Sequence, residues 1–244
     1  MRAWLDGVLE SGRGKLPEEA WGYLLGRGMR EETVHRLGIG LWRTPVELSP
    51  DEEFNERYKN GVYLDDRLTC PCYSPRGDLI GFEGRAWVGE KRITDYRLPE
   101  SKWNPFFLGL TPETMQRVWD GADVWIVEGL FDLGPMERIV PEGDVVFATV
   151  RAKVSSTHVE FLRRYVRRVG QMVHIVYDMD ETGQKQTFGY VDEQTGKRRW
   201  GALESLEHVH VPCRAIKYGG GKDPGEIWDS GGVEALKRVF GHAT

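Results

Sequence analysis

Glu128 and the pair Asp178 and Asp180 are the side chains of this sequence best placed to do chemistry. Glu128 follows the apolar run Val124-Trp-Ile-Val127 and precedes a glycine, so its carboxylate falls at the carboxyl end of a buried strand, where open α/β sheets collect ligands. Asp178 and Asp180 follow Val173-His-Ile-Val-Tyr177 in the same way, and in an extended chain their spacing turns both side chains to one side. Crowded carboxylates repel, so either one takes a proton or a divalent cation restores neutrality. An all-oxygen set suits Mg²⁺ or Mn²⁺ rather than zinc. Asp178-x-Asp180 alone also describes a solvated strand-to-loop turn; a second buried run ending in Glu128 favours the site.

Two further acids extend the set. Asp132 lies four residues after Glu128 and projects on the same side of a following helix turn, as a fourth ligand or as an exposed helix residue or cap. Asp223 sits in Gly219-Gly-Gly-Lys-Asp-Pro-Gly-Glu226, where Asp-Pro with Glu226 three residues on reads as a helix N-cap with a capping box. Capping and metal ligation are compatible roles.

The elements that must position these acids follow from periodicity. After about Gly121, short apolar runs alternate with helical patterns, which predicts a parallel sheet covered by helices. Its strands are Val124 to Val127, Val145 to Ala148, Val173 to Tyr177 and Val209 to Val211. Thr157-x-x-Glu160 predicts a capping box for a helix whose face carries Val159, Leu162, Val166 and Val169 before Gly170. Upstream, Pro17 with Ala20, Trp21, Leu24 and Leu25 predicts one short helix and Arg30 to Leu37 another, ended by Gly38. Leu68 to Tyr73 and Leu79 to Trp87, joined by Ser74-Pro-Arg-Gly77, read as a hairpin. The two halves meet near Thr111 to Gly121.

Composition narrows the class. The 244 residues are 40% hydrophobic and 29% charged, which is the ordinary globular range. A net charge of -5 argues against coating nucleic acid by bulk electrostatics, while Arg163-Arg164, Arg167-Arg168 and Lys197-Arg-Arg199 provide local basic patches. Cys70, Cys72 and Cys213 form neither a usual disulfide spacing nor a zinc knuckle, and no apolar stretch is long enough for a membrane span. A cytoplasmic location is the expectation.

The acidic segments resemble those of the TOPRIM domain shared by DnaG-type primases, topoisomerases and some nucleases. Val127-Glu-Gly-Leu-Phe-Asp132 is similar to its Glu-Gly-x-x-Asp segment, Tyr177-Asp-Met-Asp180 to its Asp-x-Asp, and Lys222-Asp-Pro224 to its third acidic motif. Upstream, Tyr23-Leu-Leu-Gly-Arg-Gly28, Leu37-Gly-Ile-Gly40, Arg67 to Pro71, Gly77 to Arg85, Tyr96 to Ser101 and Phe107-Leu-Gly-Leu110 resemble, in order and spacing, the N-terminal subdomain specific to DnaG-type primases.

The resemblance implies an α/β fold: a TOPRIM parallel sheet flanked by helices over residues 116–244, preceded by a smaller mixed α+β subdomain over 1–115. It implies a DNA primase that makes short RNA primers by nucleotidyl transfer, with Glu128, Asp178 and Asp180 catalytic and Asp132 and Asp223 completing a set for Mg²⁺ or Mn²⁺. Arg67, Arg85, Arg97 and Lys102 would contact template or nucleotide. The implied partners are single-stranded DNA, ribonucleoside triphosphates, and a replicative helicase or separate zinc-ribbon protein.

Several departures stand out. Asp95-Tyr-Arg-Leu98 lacks the family's nucleotide-contacting lysine, a charge that Arg97 or Lys102 could replace. Gly225 stands where a second acid is common, Thr149-Val-Arg-Ala-Lys153 replaces a Ser-Leu-Gly turn, and residues 182–199 read as an inserted hairpin beginning near Thr187. After it the helix is expected to resume at Lys197. With neither a zinc ribbon nor a helicase-binding domain, the chain resembles a phage or mobile-element version, or an excised core. The rival expectations are a TOPRIM nuclease and a non-catalytic primase relative that binds nucleic acid or a replication protein; a topoisomerase would need a strand-passage gate and a tyrosine module.

Overall fold

Two sheets carry the fold in the computed structural model, which describes residues 1–42, 50, 52–58, 66–89, 93–150 and 153–241. The first half runs α1 (Arg2–Gly12), α2 (Glu18–Gly26), α3 (Glu31–Leu37), β1 (Gly40–Leu41), α4 (Glu52–Tyr58), β2 (Arg67–Tyr73), β3 (Leu79–Ala86) and β4 (Ile93–Arg97). Strands β1-β2-β3-β4 form an antiparallel sheet in that order. The expected hairpin is there: the Ser74 amide donates to the Asp78 carbonyl, and Gly77 at φ 85° supplies the left-handed residue that closes the turn. Gly38 ends α3 at φ 66° as expected. Helix α1 was not foreseen, because its buried stripe of Leu5, Val8 and Leu9 is narrow and lacks a side-chain cap. In α2, Ala20 and Leu24 are buried while Leu25 is 46% exposed, so the packed stripe is narrower than expected.

A turn of 3-10 helix (Pro99–Ser101) leads into β5 (Phe107–Leu108), α5 (Pro112–Asp120), β6 (Val124–Val127), α6 (Leu130–Met136), β7 (Val145–Thr149), α7 (Ser156–Tyr165) and β8 (Val173–Val176). The chain ends with α8 (Glu181–Phe188), β9 (Tyr190–Val191), β10 (Arg198–Arg199), α9 (Ala202–His208), β11 (Cys213–Ala215) and α10 (Pro224–Phe240). The second sheet has the order β11-β8-β6-β7-β5; its first four strands are parallel and β5 pairs antiparallel with β7, so the sheet is mixed at one edge.

Every residue of β6, β7 and β8 is buried, as strands covered on both faces require. Alternate side chains serve two cores. Trp125, Val127, Val146, Ala148 and Val176 join Cys70, Cys72 and Ile80 of the first sheet and Leu133 and Ile227 of α6 and α10. Val124, Ile126, Val145, Phe147, Val173 and Ile175 face Met115, Phe161 and Leu206 of α5, α7 and α9. The three cysteines are free, and burial raises their thiol pKa values.

Four expected elements are corrected. Val209 to Val211 is no strand: the amides of Val209 and Val211 bond to Leu206 and that of His210 to Glu207, closing α9, and His210 sits at φ 58°. The sheet edge is β11 instead, where Cys213 pairs with Val173. Helix α7 is capped by Ser155, not Thr157, and stops at Tyr165, which leaves Val169 fully exposed. In the 182–199 segment, residues to Phe188 are helical because the Asp180 side chain caps α8, and the hairpin shrinks to β9 and β10. The next helix starts at Ala202 rather than Lys197. Arg151 and Ala152 of the altered 149–153 segment lie outside the described residues.

Candidate active site

Strands β6 and β8 are adjacent and parallel with Val127 opposite Val176, so the residues after them emerge side by side at the carboxyl edge of the sheet. Glu128 leaves β6 there, and its Oε1 accepts a hydrogen bond from the Asp178 amide at 3.2 Å. Asp178 is 8% exposed. Asp180 is the N-cap of α8, its Oδ1 accepting from the Gly183 amide at 2.9 Å. In the first turn of α6, Asp132 accepts from the Gly129 amide at 3.2 Å and, through its other oxygen, from the Gly225 amide at 3.3 Å. Asp223 caps α10, accepting from the Glu226 amide at 2.6 Å, so its capping role is realised. Glu226 turns back to the Lys222 amide rather than to Asp223, so the reciprocal half of the capping box is displaced by one residue.

These acids feel one another. Burial, then the Asp178, Asp132 and Asp180 carboxylates, push Glu128 up to about 8. Asp132 is pushed up to about 7 by burial, then by Asp223 and Asp178. Asp178 is raised chiefly by burial although Lys222 opposes it. Asp180 is lowered, first by the Gly183 amide and then by Lys222.

Lys222 was read from sequence only as part of the third acidic motif. Its Nζ lies 3.1 Å from Asp178 Oδ2 and 3.0 Å from Asp180 Oδ2, so one ammonium is shared by the Asp-x-Asp pair. The Lys222 carbonyl accepts from the Met179 amide at 2.8 Å and from the Tyr218 hydroxyl at 3.2 Å, which locks the lysine backbone against the strand end. As the side chains lie, no set of three or more His, Cys, Asp or Glu among the described residues is arranged to hold a metal ion.

Two guanidiniums flank the acids. Arg85 pairs through Nε with the wholly buried Glu83 and stands 5.6 Å over the Phe131 ring. Arg27 stands over the same ring, also at 5.6 Å, and pairs with Asp229 at 2.6 Å. Glycines make room for both: a Cβ on Gly129 would lie 2.7 Å from Arg85 Nη2, and one on Gly225 would lie 2.5 Å from Arg27 Nη2. The missing acid at 225 therefore has a physical counterpart, since Arg27 fills the space such a side chain would enter. Arg27 was not singled out from sequence; its place between Gly26 and Gly28 after an apolar helix was the available signal.

The other expected basic residues are spread. Arg67 lies at the start of β2, opposite Ala86. Arg97 donates to the carbonyls of Ser101 and Asn104 and stands over Phe106, which commits it to its own loop. Lys102 stands 5.2 Å over the ring of Trp103, which is 79% exposed, whereas Tyr96 is buried in the first half's core.

The chain thus sets acids at the carboxyl ends of two neighbouring parallel strands of a mixed sheet that packs against an antiparallel one. Its fold is that of DnaG-type primase catalytic cores. A DNA primase domain from Pseudomonas aeruginosa superposes with a TM-score of 0.66 at 20% identity, covering 97% of this chain and 77% of that one. A DnaG primase catalytic domain solved bound to ssDNA has a TM-score of 0.60 at 18% identity, covering 96% and 77%. In sequence, a DNA primase of Clostridium acetobutylicum is 25% identical over 240 residues, covering 91% of this chain and 37% of that protein. The chain spans 37% to 44% of the length of such curated relatives. No family model matches it.

Proposed function

We propose that this chain is a primase catalytic core that joins ribonucleotides on a single-stranded DNA template. The observation that carries the reading is the cluster of Glu128, Asp178, Asp180, Asp132 and Asp223, five acids on the same edge of a sheet whose fold is shared with primase cores. The donors are all oxygen, and burial, then neighbouring carboxylates, hold two of them well above the usual carboxylate range, a penalty on their ionised forms that a hard divalent cation offsets.

Glu128, Asp178 and Asp180 would hold Mg²⁺ or Mn²⁺, with Asp132 and Asp223 beside them. A bound divalent cation neutralises charge on the phosphate oxygens and aligns nucleophile and leaving group. The chain's own residues do the rest. Glu128, ionised once a cation is held beside it, would accept the proton of a ribose 3′-hydroxyl. Arg85, and Arg27 across Phe131, supply guanidiniums for phosphate oxygens. Trp103, exposed and capped by Lys102, offers a face on which a template base can stack. Ribonucleoside triphosphates are the proposed substrates, a helicase or a separate zinc-ribbon protein the proposed partner, and the cytoplasm the proposed location. No helix among the described residues is long and apolar enough to cross a membrane.

Incorporation of labelled ribonucleotides by the purified 244-residue chain, with single-stranded DNA and Mg²⁺ or Mn²⁺, tests the proposal. Short RNA products that vanish in Asp178→Asn are the expected result. DNA cleavage without incorporation would establish the nuclease instead, and DNA binding with neither activity a non-catalytic relative.

A further inference from the structure

The Asp178 and Asp180 oxygens that a metal would need are already engaged by a cation of the protein itself. Both Oδ2 atoms point to the Lys222 ammonium, at 3.1 and 3.0 Å, and two of its three N–H donors are thereby used. We propose that Lys222 is a tethered counter-ion of this site, which holds the Asp-x-Asp pair together until a divalent cation displaces it. The inference rests on the metal-site reading above and goes beyond it in naming the group the ion must evict.

Three features fit a displaceable cation rather than a permanent salt bridge. The Lys222 backbone is clamped: its carbonyl accepts from Met179 and Tyr218, and the adjacent Asp223 caps α10. The base of the side chain is therefore held beside the pair. Its side chain, by contrast, is 51% exposed, so it can swing into water without opening the core. The partners differ as well. The Asp178 side chain is 12% exposed and so depends on a nearby positive charge, whereas the Asp180 side chain is 38% exposed and has the Gly183 amide as a second partner. One ammonium can offset only one of the two charges it bridges, and the Glu128 carboxylate stands beside them, accepting from the Asp178 amide. A divalent ion closes that gap and a monovalent ammonium does not.

Competition makes the sign of the effect definite. An ordinary ligand-positioning lysine would help the metal bind, and its loss would weaken binding. A counter-ion that must leave taxes the affinity, and its loss strengthens binding.

Calorimetric titration of Mn²⁺ into the metal-free chain, compared with Lys222→Met, Lys222→Gln, Lys222→Arg and Asp178→Asn, decides the matter. Lys222→Met and Lys222→Gln are expected to bind Mn²⁺ about tenfold more tightly, the order expected for removing part-exposed ion pairs. Their metal-free melting temperatures should fall and the rise on adding Mn²⁺ should grow. Lys222→Arg keeps a cation and should stay near the parent affinity. Unchanged or weaker Mn²⁺ binding in both neutral variants overturns the inference, provided Asp178→Asn abolishes binding as the site reading requires. Equal isotherms for the parent and Asp178→Asn would instead overturn the metal-site reading, and the inference with it.

Discussion

The Asp178 amide donates to Glu128 Oε1 across 3.2 Å, tying together the tips of two neighbouring parallel strands. The bond needs an acceptor oxygen and not a charge, so Glu128→Gln can keep it. That variant is expected to fold with an unchanged or higher metal-free melting temperature and to lose about 100-fold or more in nucleotide incorporation. Calorimetry beside a primer-synthesis assay checks both; a clear drop in stability would make Glu128 a structural residue.

The Asp-x-Asp pair separates by role. Asp178→Asn removes a charge from a buried position and should leave metal-free stability intact while abolishing Mn²⁺ binding. Asp180→Asn should do the same to binding and keep its helix cap, because asparagine caps as well as aspartate. Circular dichroism melting with and without Mn²⁺ tests the pair.

Acid strength in the cluster predicts a pH trend. Glu128 near about 8 and Asp132 near about 7 keep protons in the folded chain that the unfolded chain, with ordinary values of about 4.3 and about 3.9, has released. The folded state thus binds more protons across that window, and metal-free stability falls as pH rises from about 4 to about 8. Mg²⁺, which binds the ionised carboxylates, should flatten the fall, and so should Glu128→Gln. Scanning fluorimetry across that range would show it; a slope identical with and without Glu128 would refute the assignment.

Two arginines with similar sequence credentials should behave differently. Arg85→Ala alone strands the buried Glu83, so the comparison belongs in a Glu83→Gln background. There, loss of Arg85 should lower the salt slope of single-stranded DNA binding by about 0.7 with modest loss of stability. Arg97→Ala should leave the slope alone and cost about 1–3 kcal/mol, since it uncaps the Ser101 and Asn104 carbonyls. Fluorescence anisotropy at several salt concentrations separates them.

Gly183 is a test of packing behind the site. A Cβ there would sit 2.1 Å from the Asp178 carbonyl oxygen, so Gly183→Ala must push the start of α8 away from the strand end. A destabilisation of about 1–3 kcal/mol is expected, with Mn²⁺ affinity lost in the metal-bound comparison.

How much of this was legible depends on range. The strands at 124 and 145 are continuous apolar runs and the one at 173 is broken only by His174, and the Ser74-Pro-Arg-Gly77 turn and the Asp223 cap are written in neighbouring residues, so local rules found them. Strand β11 is three residues long and only partly covered, which leaves no periodicity to read. The 182–199 segment went astray because its helix is set by a cap at Asp180, a residue already assigned to chemistry. At the site, strand-end position exposed the acids. The cations Lys222 and Arg27 become partners only through tertiary approach, from positions 42 and 202 residues distant in the pairs they make with Asp180 and Asp229, and no spacing rule reports that.

Strand β5 carries a consequence for dissecting the molecule. Phe107 and Leu108 precede the expected boundary at 115/116 yet hydrogen-bond to Thr149 and Ala148 of β7, so the second sheet borrows its last strand from the first half. A fragment cut at that boundary would present the backbone of β7 as a raw edge beside the apolar pocket vacated by Phe107, which stacks on His158 at 4.1 Å. Such an edge is a template for pairing with another copy. Truncation products beginning at residue 116 are thus built to self-associate, and a usable excision of the acidic half has to start before Pro105.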